Sequence, residues 1–184
     1  YDLMVEDFHE LVVDLGEKNI NLIGHSMGGK TAIGFAAKYP ELIDKLIVAD
    51  ISHKKYPMHH DQILEALNAI DLSVIKSRGE AETKLSEYIP QFGVRQFLLK
   101  NLYWVETGQL GWRINLPVLN TDIEQILYEI KFDKINTPTL FIRGELSNYI
   151  LESDYENILE KFPNSKIETL KNVGHWVHAE APDE

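Results

Sequence analysis

A single serine flanked by glycines, Ser26, is the residue whose type and setting most clearly suggest chemistry. It stands in the segment 24–28, which has the pattern G-x-S-x-G. The short apolar run at 20–23 predicts a buried strand before it, and apolar residues at helical spacing predict a helix from Met27 onward. A serine on a sharp turn between a strand and a helix can act as a nucleophile, and small neighbours leave room for the strained turn. A glycine- and serine-containing turn without a chemical role is the alternative.

A serine hydroxyl is a weak nucleophile at neutral pH, so it needs a neighbouring base that is itself oriented by an acid. His175 follows the last predicted strand, where the chain order serine, acid, histidine places the base. Asp50 ends a second apolar run, and adjacent parallel strands end at one crevice, so Asp50 is the predicted acid. Glu145 is the second candidate, in a loop that has Ser147 where an aspartate is expected. A helix-capping or loop aspartate is the alternative interpretation of Asp50.

The other six histidines suggest no comparable chemistry. The ring of His25 is predicted to turn away from the Ser26 hydroxyl, and His178 is predicted to pack beneath His175. The remaining ones are predicted to be solvated or structural: His9, His53, His59 and His60. A zinc site built from the last three lacks any known ligand spacing or partner carboxylates. We therefore expect no metal ion and no cofactor.

The backbone N–H of Met27, the residue after the serine, is predicted to supply one donor of an oxyanion hole. The positive end of the helix that begins there would add a favourable electrostatic field. The second donor ordinarily comes from a loop after an earlier strand. That segment would lie before Tyr1, so only half of the oxyanion hole is expected within this sequence.

The elements that must position these residues have the order of an α/β protein. A strand at 20–23, a helix at 27–38 and an apolar run at 46–50 form a β–α–β unit. Such a unit predicts two parallel strands joined by a right-handed crossover. An initial helical pattern ends near Gly16, a residue suited to the left-handed position after a helix.

The sheet resumes at 139–143, and the roughly 80 residues in between are too many for a simple connection. We therefore predict an α/β core formed by 1–51 and 133–184, with a mostly helical cap at 52–132 inserted into it. The remaining predicted elements are helices at 60–70, 80–89, 94–102, 120–130 and 152–161, a hairpin at 103–114 and a strand at 166–170.

Composition narrows the class of partner and the compartment. The net charge of −11, without a stripe of Lys or Arg, disfavours binding to nucleic acid. No apolar run is long enough to span a membrane, and no signal peptide is visible. The lack of cysteine excludes disulfides and thiolate chemistry and fits a reducing compartment. We therefore expect a cytoplasmic protein whose partner is a small molecule.

Five segments of the sequence are distinctive when taken together: GHSMGGK at 24–30, VADIS at 48–52, VRQFLL at 94–99, WRIN at 112–115 and GHWVHAE at 174–180. With these segments the sequence resembles the YbfF/ABHD11-type esterases of the α/β-hydrolase superfamily. The resemblance implies an α/β-hydrolase fold with a helical cap and a triad of serine, histidine and acid, in which the acid maps to Asp50. Glu145 and Leu146 depart from the family's Gly-Asn-Ser loop. The family's first strands, with their His-Gly oxyanion loop, have no counterpart in this sequence.

These observations favour hydrolysis of carboxylic esters with short or medium acyl chains, or of thioesters. Apolar residues that could line an acyl pocket are Phe97, Leu98, Trp104, Trp112 and Trp176, each of which could equally serve core packing. The alternative function is a catalytically incompetent scaffold that acts through partner binding. An apolar edge on the strand at 20–23, left without a neighbour, would support this alternative.

Overall fold

A four-stranded parallel sheet organises the larger of two units. Its strands lie side by side in the order Ile20–His25, Ile43–Ala49, Thr139–Gly144 and Ser165–Leu170. The computed structural model describes residues 1–57 and 61–184, so His59 and His60 lie outside the described residues. The larger unit comprises Tyr1–Lys55 and Tyr128–Glu184, and the smaller one comprises Tyr56–Leu127. The function of the smaller unit as a cap stays a prediction.

The larger unit contains four α-helices and four strands within the described residues. They are α1 (Asp2–Leu15), β1 (Ile20–His25), α2 (Met27–Lys38), β2 (Ile43–Ala49), β5 (Thr139–Gly144), α7 (Tyr155–Lys161), β6 (Ser165–Leu170) and α8 (Val177–Glu180), with short 3-10 turns at Pro40–Leu42 and Glu152–Asp154. The predicted parallel pairing of β1 with β2 is confirmed, and Gly16 ends α1 with a φ of 68°.

β1 is less buried than the sequence predicts. It lies at the edge of the sheet, and in the described residues only β2 pairs with it. The side chain of Ile23 is consequently 68% exposed, and Gly24 is the one buried residue of the strand. The prediction of a buried strand was wrong here, because an apolar run indicates a strand but not whether both of its sides are covered.

The smaller unit packs short helices and a hairpin around an apolar cluster. Its elements are α3 (Asp61–Asn68), α4 (Arg78–Ser86), α5 (Phe92–Leu99), β3 (Leu102–Glu106), β4 (Gln109–Trp112), α6 (Leu116–Asp122) and a 3-10 turn at Ile123–Leu127. The cluster includes Ala81, Leu85 and Leu102. The predicted helix at 120–130 was wrong in position, because the Asn115 side chain caps α6 by accepting the Val118 N–H and so starts the helix earlier.

No helix in the described ranges 1–57 and 61–184 is long and apolar enough to cross a bilayer.

Candidate active site

Ser26 lies on a sharp turn between the end of β1 and the start of α2. Its φ of 53° and ψ of −124° are unusual for a residue with a side chain, which marks a strained turn. A Cβ on Gly24 would lie 2.4 Å from the Gly28 carbonyl oxygen, and one on Gly29 would lie 2.5 Å from Ile51 Cγ2. Gly28 itself has open space around it. The close approach of the chain segments around the turn therefore depends on Gly24 and Gly29. Gly29 lies outside the five-residue pattern G-x-S-x-G.

The imidazole of His175 bridges Ser26 and Asp50. Its Nε2 is 3.0 Å from Ser26 Oγ, and its Nδ1 is 2.7 Å from Asp50 Oδ2. A carboxylate accepts only, so Nδ1 carries the proton and Nε2 is left to accept from the serine hydroxyl. This arrangement can remove the proton from Ser26 while the carboxylate stabilises the imidazolium that forms.

Asp50 is fully buried at the end of β2 and has a positive φ of 47°. Its Oδ1 accepts the Gly144 N–H at 3.0 Å, and its Oδ2 accepts the Ser147 hydroxyl as well as His175. Gly144 ends β5, the parallel neighbour of β2, so the two strand ends meet at this carboxylate. Ser147, which stands where an aspartate was expected, thus contributes a donor to Asp50.

Glu145, the second candidate for the acid, lies on the surface. Its Oε2 accepts the Asn172 N–H at 2.8 Å, which ties the end of β5 to the segment that precedes His175. Of the two candidate acids, Asp50 is therefore the one hydrogen-bonded to the imidazole.

The Met27 N–H lies at the first position of α2. The first N–H groups of a helix have no acceptor within the helix, and they lie at its positive end. The position beside Ser26 is suitable for a developing oxyanion. The role of Met27 in an oxyanion hole stays a prediction.

Two aromatic residues that sequence reasoning did not assign a role contact the imidazole or its backbone. The Tyr149 ring stacks on His175 with centroids 4.1 Å apart, and burial, followed by the charge of Asp50, raises the pKa of Tyr149. His25 turns its Nε2 to the His175 carbonyl oxygen at 2.8 Å. The ring of His178 packs edge-on against the ring of His25, with the ring centroids 4.8 Å apart. No spacing rule predicts these contacts, because they join segments far apart in the sequence.

Lys30, the last residue of the GHSMGGK segment, is 1% exposed. Its ammonium donates to the Tyr128 carbonyl and lies 5.5 Å from the centre of the Tyr1 ring. Burial lowers its pKa to about 8, against a smaller opposing effect of Glu129. Lys30 therefore joins α2 to the segment that begins the second half of the larger unit.

The residues predicted to contact the acyl group fall into three environments. Leu98 is 8% exposed in the apolar cluster of the smaller unit, and Trp112 packs against that cluster. This burial favours core packing for both. Phe97 and Trp104, also in the smaller unit, are half-exposed. Trp176 is adjacent to the predicted base, with its ring 5.7 Å from that of His175. Substrate contact stays a prediction for all five.

Within the described residues, no three histidine or carboxylate side chains are arranged to hold a metal ion. His53 is buried against Phe132 and Phe162, as a structural histidine would be. His59 and His60 lie outside the described residues, so the predicted lack of a zinc site rests on the sequence for these two.

A parallel sheet with a serine on a sharp turn between a strand and a helix is typical of the α/β-hydrolases. A family profile described as the alpha/beta hydrolase fold matches residues 1–75. The esterase YbfF of Escherichia coli is 35% identical over 184 residues, covering 100% of this chain and 70% of that protein. The chain therefore belongs to the α/β-hydrolase family, and the predicted fold class and resemblance are confirmed.

Two further relatives support this assignment. An esterase of a marine microorganism has a solved structure that superposes with a TM-score of 0.95 at 43% identity, over 99% of this chain and 73% of that one. The sn-1-specific diacylglycerol lipase ABHD11 of Danio rerio is 38% identical over 99% of this chain and 59% of its own length. The chain thus spans about three-fifths of some of the relatives that it matches.

Proposed function

We propose that this protein hydrolyses carboxylic esters through an acyl-enzyme intermediate on Ser26. The observation that carries the proposal is the unbroken hydrogen-bond chain from Ser26 Oγ through the imidazole of His175 to the carboxylate of Asp50. The names of the similar proteins, esterase and lipase, agree with this chemistry. No cofactor enters the proposed reaction.

In the first half of the reaction, Ser26 Oγ attacks the acyl carbonyl while His175 Nε2 takes its proton. Asp50 holds the imidazole so that Nε2 faces the serine, and its charge stabilises the imidazolium. The Met27 N–H would donate to the developing oxyanion. His175 then returns the proton to the leaving alcohol, and the acyl group remains on Ser26.

In the second half, a water molecule attacks the acyl-enzyme. His175 takes a proton from this water, and the resulting tetrahedral intermediate expels Ser26, which regains its proton from the imidazolium. The same groups would serve a thioester, since only the leaving group changes from an alcohol to a thiol.

For the substrate, we propose a small-molecule ester with a short or medium acyl chain. Trp176 lies beside His175 and is positioned to offer apolar surface to the acyl group. The residues Phe97 and Trp104 of the proposed cap have exposed apolar surface that could do the same. The proposed cytoplasmic location rests on the lack of cysteine.

Hydrolysis of p-nitrophenyl acetate and p-nitrophenyl butyrate by the wild type and by Ser26→Ala tests the proposal. We expect a loss of about 10³-fold or more in kcat, because the nucleophile is removed while the binding surface stays. Retention of the wild-type rate in Ser26→Ala would refute the assignment of the nucleophile.

A scaffold that acts through partner binding is the second candidate. The edge of β1 that no other strand of the described residues covers, with its exposed Ile23, favours it. A serine-reactive fluorophosphonate separates the two functions. A working triad and oxyanion hole would give rapid labelling of Ser26, whereas a scaffold would label slowly or not at all.

A further inference from the structure

The loop that carries the predicted base has little regular structure of its own. This histidine loop, residues 171–176, connects the end of β6 to the start of α8. A base must be held close to its productive geometry, and a misplacement of about 1 Å can cost about 10²-fold in rate. The backbone of His175 therefore needs partners that fix it from outside the loop.

The carboxylate of Glu180 holds the two amides on either side of His175. Its Oε2 accepts the Gly174 N–H at 2.7 Å, and its Oε1 accepts the Trp176 N–H at 3.1 Å. A glutamate at a helix start often reaches back to one amide of the preceding residue. Here the second oxygen continues to the far side of the histidine, which a helix cap does not require.

Gly174 makes this contact possible. A Cβ at this position would lie 3.1 Å and 3.2 Å from the two carboxylate oxygens of Glu180, closer than most Cβ contacts. The Trp176 carbonyl in turn accepts the N–H groups of Ala179 and Glu180. The backbone and side chain of Glu180 thus both bind Trp176, and together they close a compact ring of hydrogen bonds.

His25 holds the carbonyl group of the His175 backbone. Its Nε2–H donates to the His175 carbonyl oxygen at 2.8 Å, from the residue directly before Ser26. Burial lowers the pKa of His25, which favours its neutral ring, and the carbonyl acceptor fixes a proton on Nε2. The turn that carries the serine and the loop that carries the base are therefore linked directly.

We infer that Glu180 is a positioning residue for His175, and that it forms with His25 a clamp on the backbone of the predicted base. The clamp fixes the direction of the His175 Cα–Cβ bond, while Asp50 and the stacked Tyr149 ring fix the imidazole itself. This inference rests on the proposed function. Glu180 touches neither Ser26 nor the imidazole by any hydrogen bond in the described residues, so it acts through His175.

Labelling of Ser26 by a fluorophosphonate at several probe concentrations tests the clamp. We expect Glu180→Ala to lower the maximal labelling rate about 10- to 100-fold, with the half-saturating concentration unchanged, because the base is misplaced while the binding surface stays. Glu180→Gln keeps one carbonyl acceptor and should lose less. Loss only in the half-saturating concentration, or equal losses in the two variants, would contradict a positioning role.

Glu80→Ala is the matched control. Glu80 is also an exposed carboxylate that accepts a backbone amide just before a helix, the Lys76 N–H at 2.9 Å, but it lies in the smaller unit. We expect its labelling rate to equal that of the wild type, with all measurements made well below the midpoint of thermal unfolding of each variant. Equal rates for Glu180→Ala and Glu80→Ala would overturn the inference. Should Glu180→Ala not fold, the comparison of Glu180→Gln with Glu80→Gln decides by the same criterion.

Proton NMR separates failure of the clamp from failure of the proposed function. The Nδ1–H of His175, shared with Asp50, should give a signal downfield of the backbone amides in the wild type and in Glu80→Ala. We expect exchange with solvent to broaden it in Glu180→Ala. If the wild type shows this signal but its Ser26 is not labelled by the fluorophosphonate, the proposed function fails. The clamp is then tested by the change of the NMR signal in Glu180→Ala alone. An unchanged signal in Glu180→Ala would overturn the clamp.

Discussion

The two units of the molecule differ in what they bury. The larger unit encloses charged and polar side chains, whereas the apolar cluster of the smaller unit consists of aliphatic and aromatic residues. The buried polar residues of the described chain all belong to the larger unit: Lys30, Asp50, Ser52, His53, Thr137, Thr139, Arg143 and Ser147. A buried polar group is costly unless it is hydrogen-bonded. The larger unit therefore depends on hydrogen bonds to these buried groups, whereas the apolar cluster of the smaller unit has no such requirement.

Backbone strain follows the same division. Among the described residues, the non-glycine positions with positive φ are all in the larger unit: Asn19, Ser26, Asp50 and Asn172. Two of these are members of the proposed triad. Strained backbone of this kind persists only where the surroundings enforce it. The comparison indicates that buried polar groups and positive-φ backbone occur in the unit that contains the proposed triad, whereas the cluster of the smaller unit is apolar.

The largest expected effect comes from the buried carboxylate. Asp50→Asn should lower kcat about 10⁴-fold, because an amide facing His175 Nδ1 favours the wrong tautomer of the imidazole. Glu145→Gln should stay within about threefold of the wild type, since the Glu145 side chain accepts from the Asn172 amide and has no hydrogen bond to the imidazole among the described residues. Ester hydrolysis measures both. If Glu145→Gln lowered kcat more than Asp50→Asn, Glu145 would be the acid and the buried Asp50 would have no catalytic role.

The apolar cluster of the smaller unit should respond to loss of volume. Leu85 is fully buried in it, so Leu85→Ala should lower the free energy of unfolding by about 3 kcal/mol. Leu159 on α7 of the larger unit is about half-exposed, and Leu159→Ala is expected to cost less than about 1 kcal/mol. Chemical denaturation gives both values. A small loss in Leu85→Ala would mean that the smaller unit is loosely packed.

A glycine-to-alanine substitution should change the free energy of unfolding in opposite directions in the two units. A Cβ on Gly144 would lie 2.0 Å from the Gly174 carbonyl oxygen, so Gly144→Ala should destabilise by about 1–3 kcal/mol and slow the labelling of Ser26. Gly93 in α5 has open space around it, so Gly93→Ala should stabilise by up to about 1 kcal/mol. Denaturation midpoints measure the difference, and two effects of the same sign would contradict it.

The smallest expected effect concerns the buried ammonium of Lys30. Its pKa is about 8 in the folded protein and 10.5 for an ordinary lysine, so above pH 8 the unfolded chain binds more protons. Stability should therefore rise with pH in this range, by about 1 kcal/mol from pH 8 to pH 9 relative to Lys30→Met. Denaturation of both proteins at pH 7, 8 and 9 measures this difference. A constant difference across the range would show that Lys30 is not desolvated.

Local patterns predicted the elements that carry the chemistry. Glycines around Ser26 predicted the turn, and the order of strands and helix predicted the parallel pairing of β1 with β2. The predicted helix at 120–130 lies too far along the chain, because α6 begins directly after Asn115, whose side chain accepts the Val118 N–H. The exposure of β1 depends on whether another strand covers its edge, and an apolar run carries no information on that.

The contacts around His175 required the folded chain. Tyr149 and His25 are far from it in the sequence, and neither the stacking nor the hydrogen bond has a local signature. The bond of Ser147 to Asp50 is equally non-local. Only Glu180 is close in sequence, yet its two acceptor bonds depend on the path of the histidine loop around it.

By itself, the sequence determined the family and the residue types of the proposed triad. The turn at Ser26 and the succession of strand, helix and strand around it are local features, because they depend on residues that are neighbours along the chain. The choice of Asp50 as hydrogen-bond partner of His175, and the surface position of Glu145, were decided by tertiary structure. The two carboxylates follow adjacent strands, and only the paths of the loops beyond those strands determine which one reaches the imidazole.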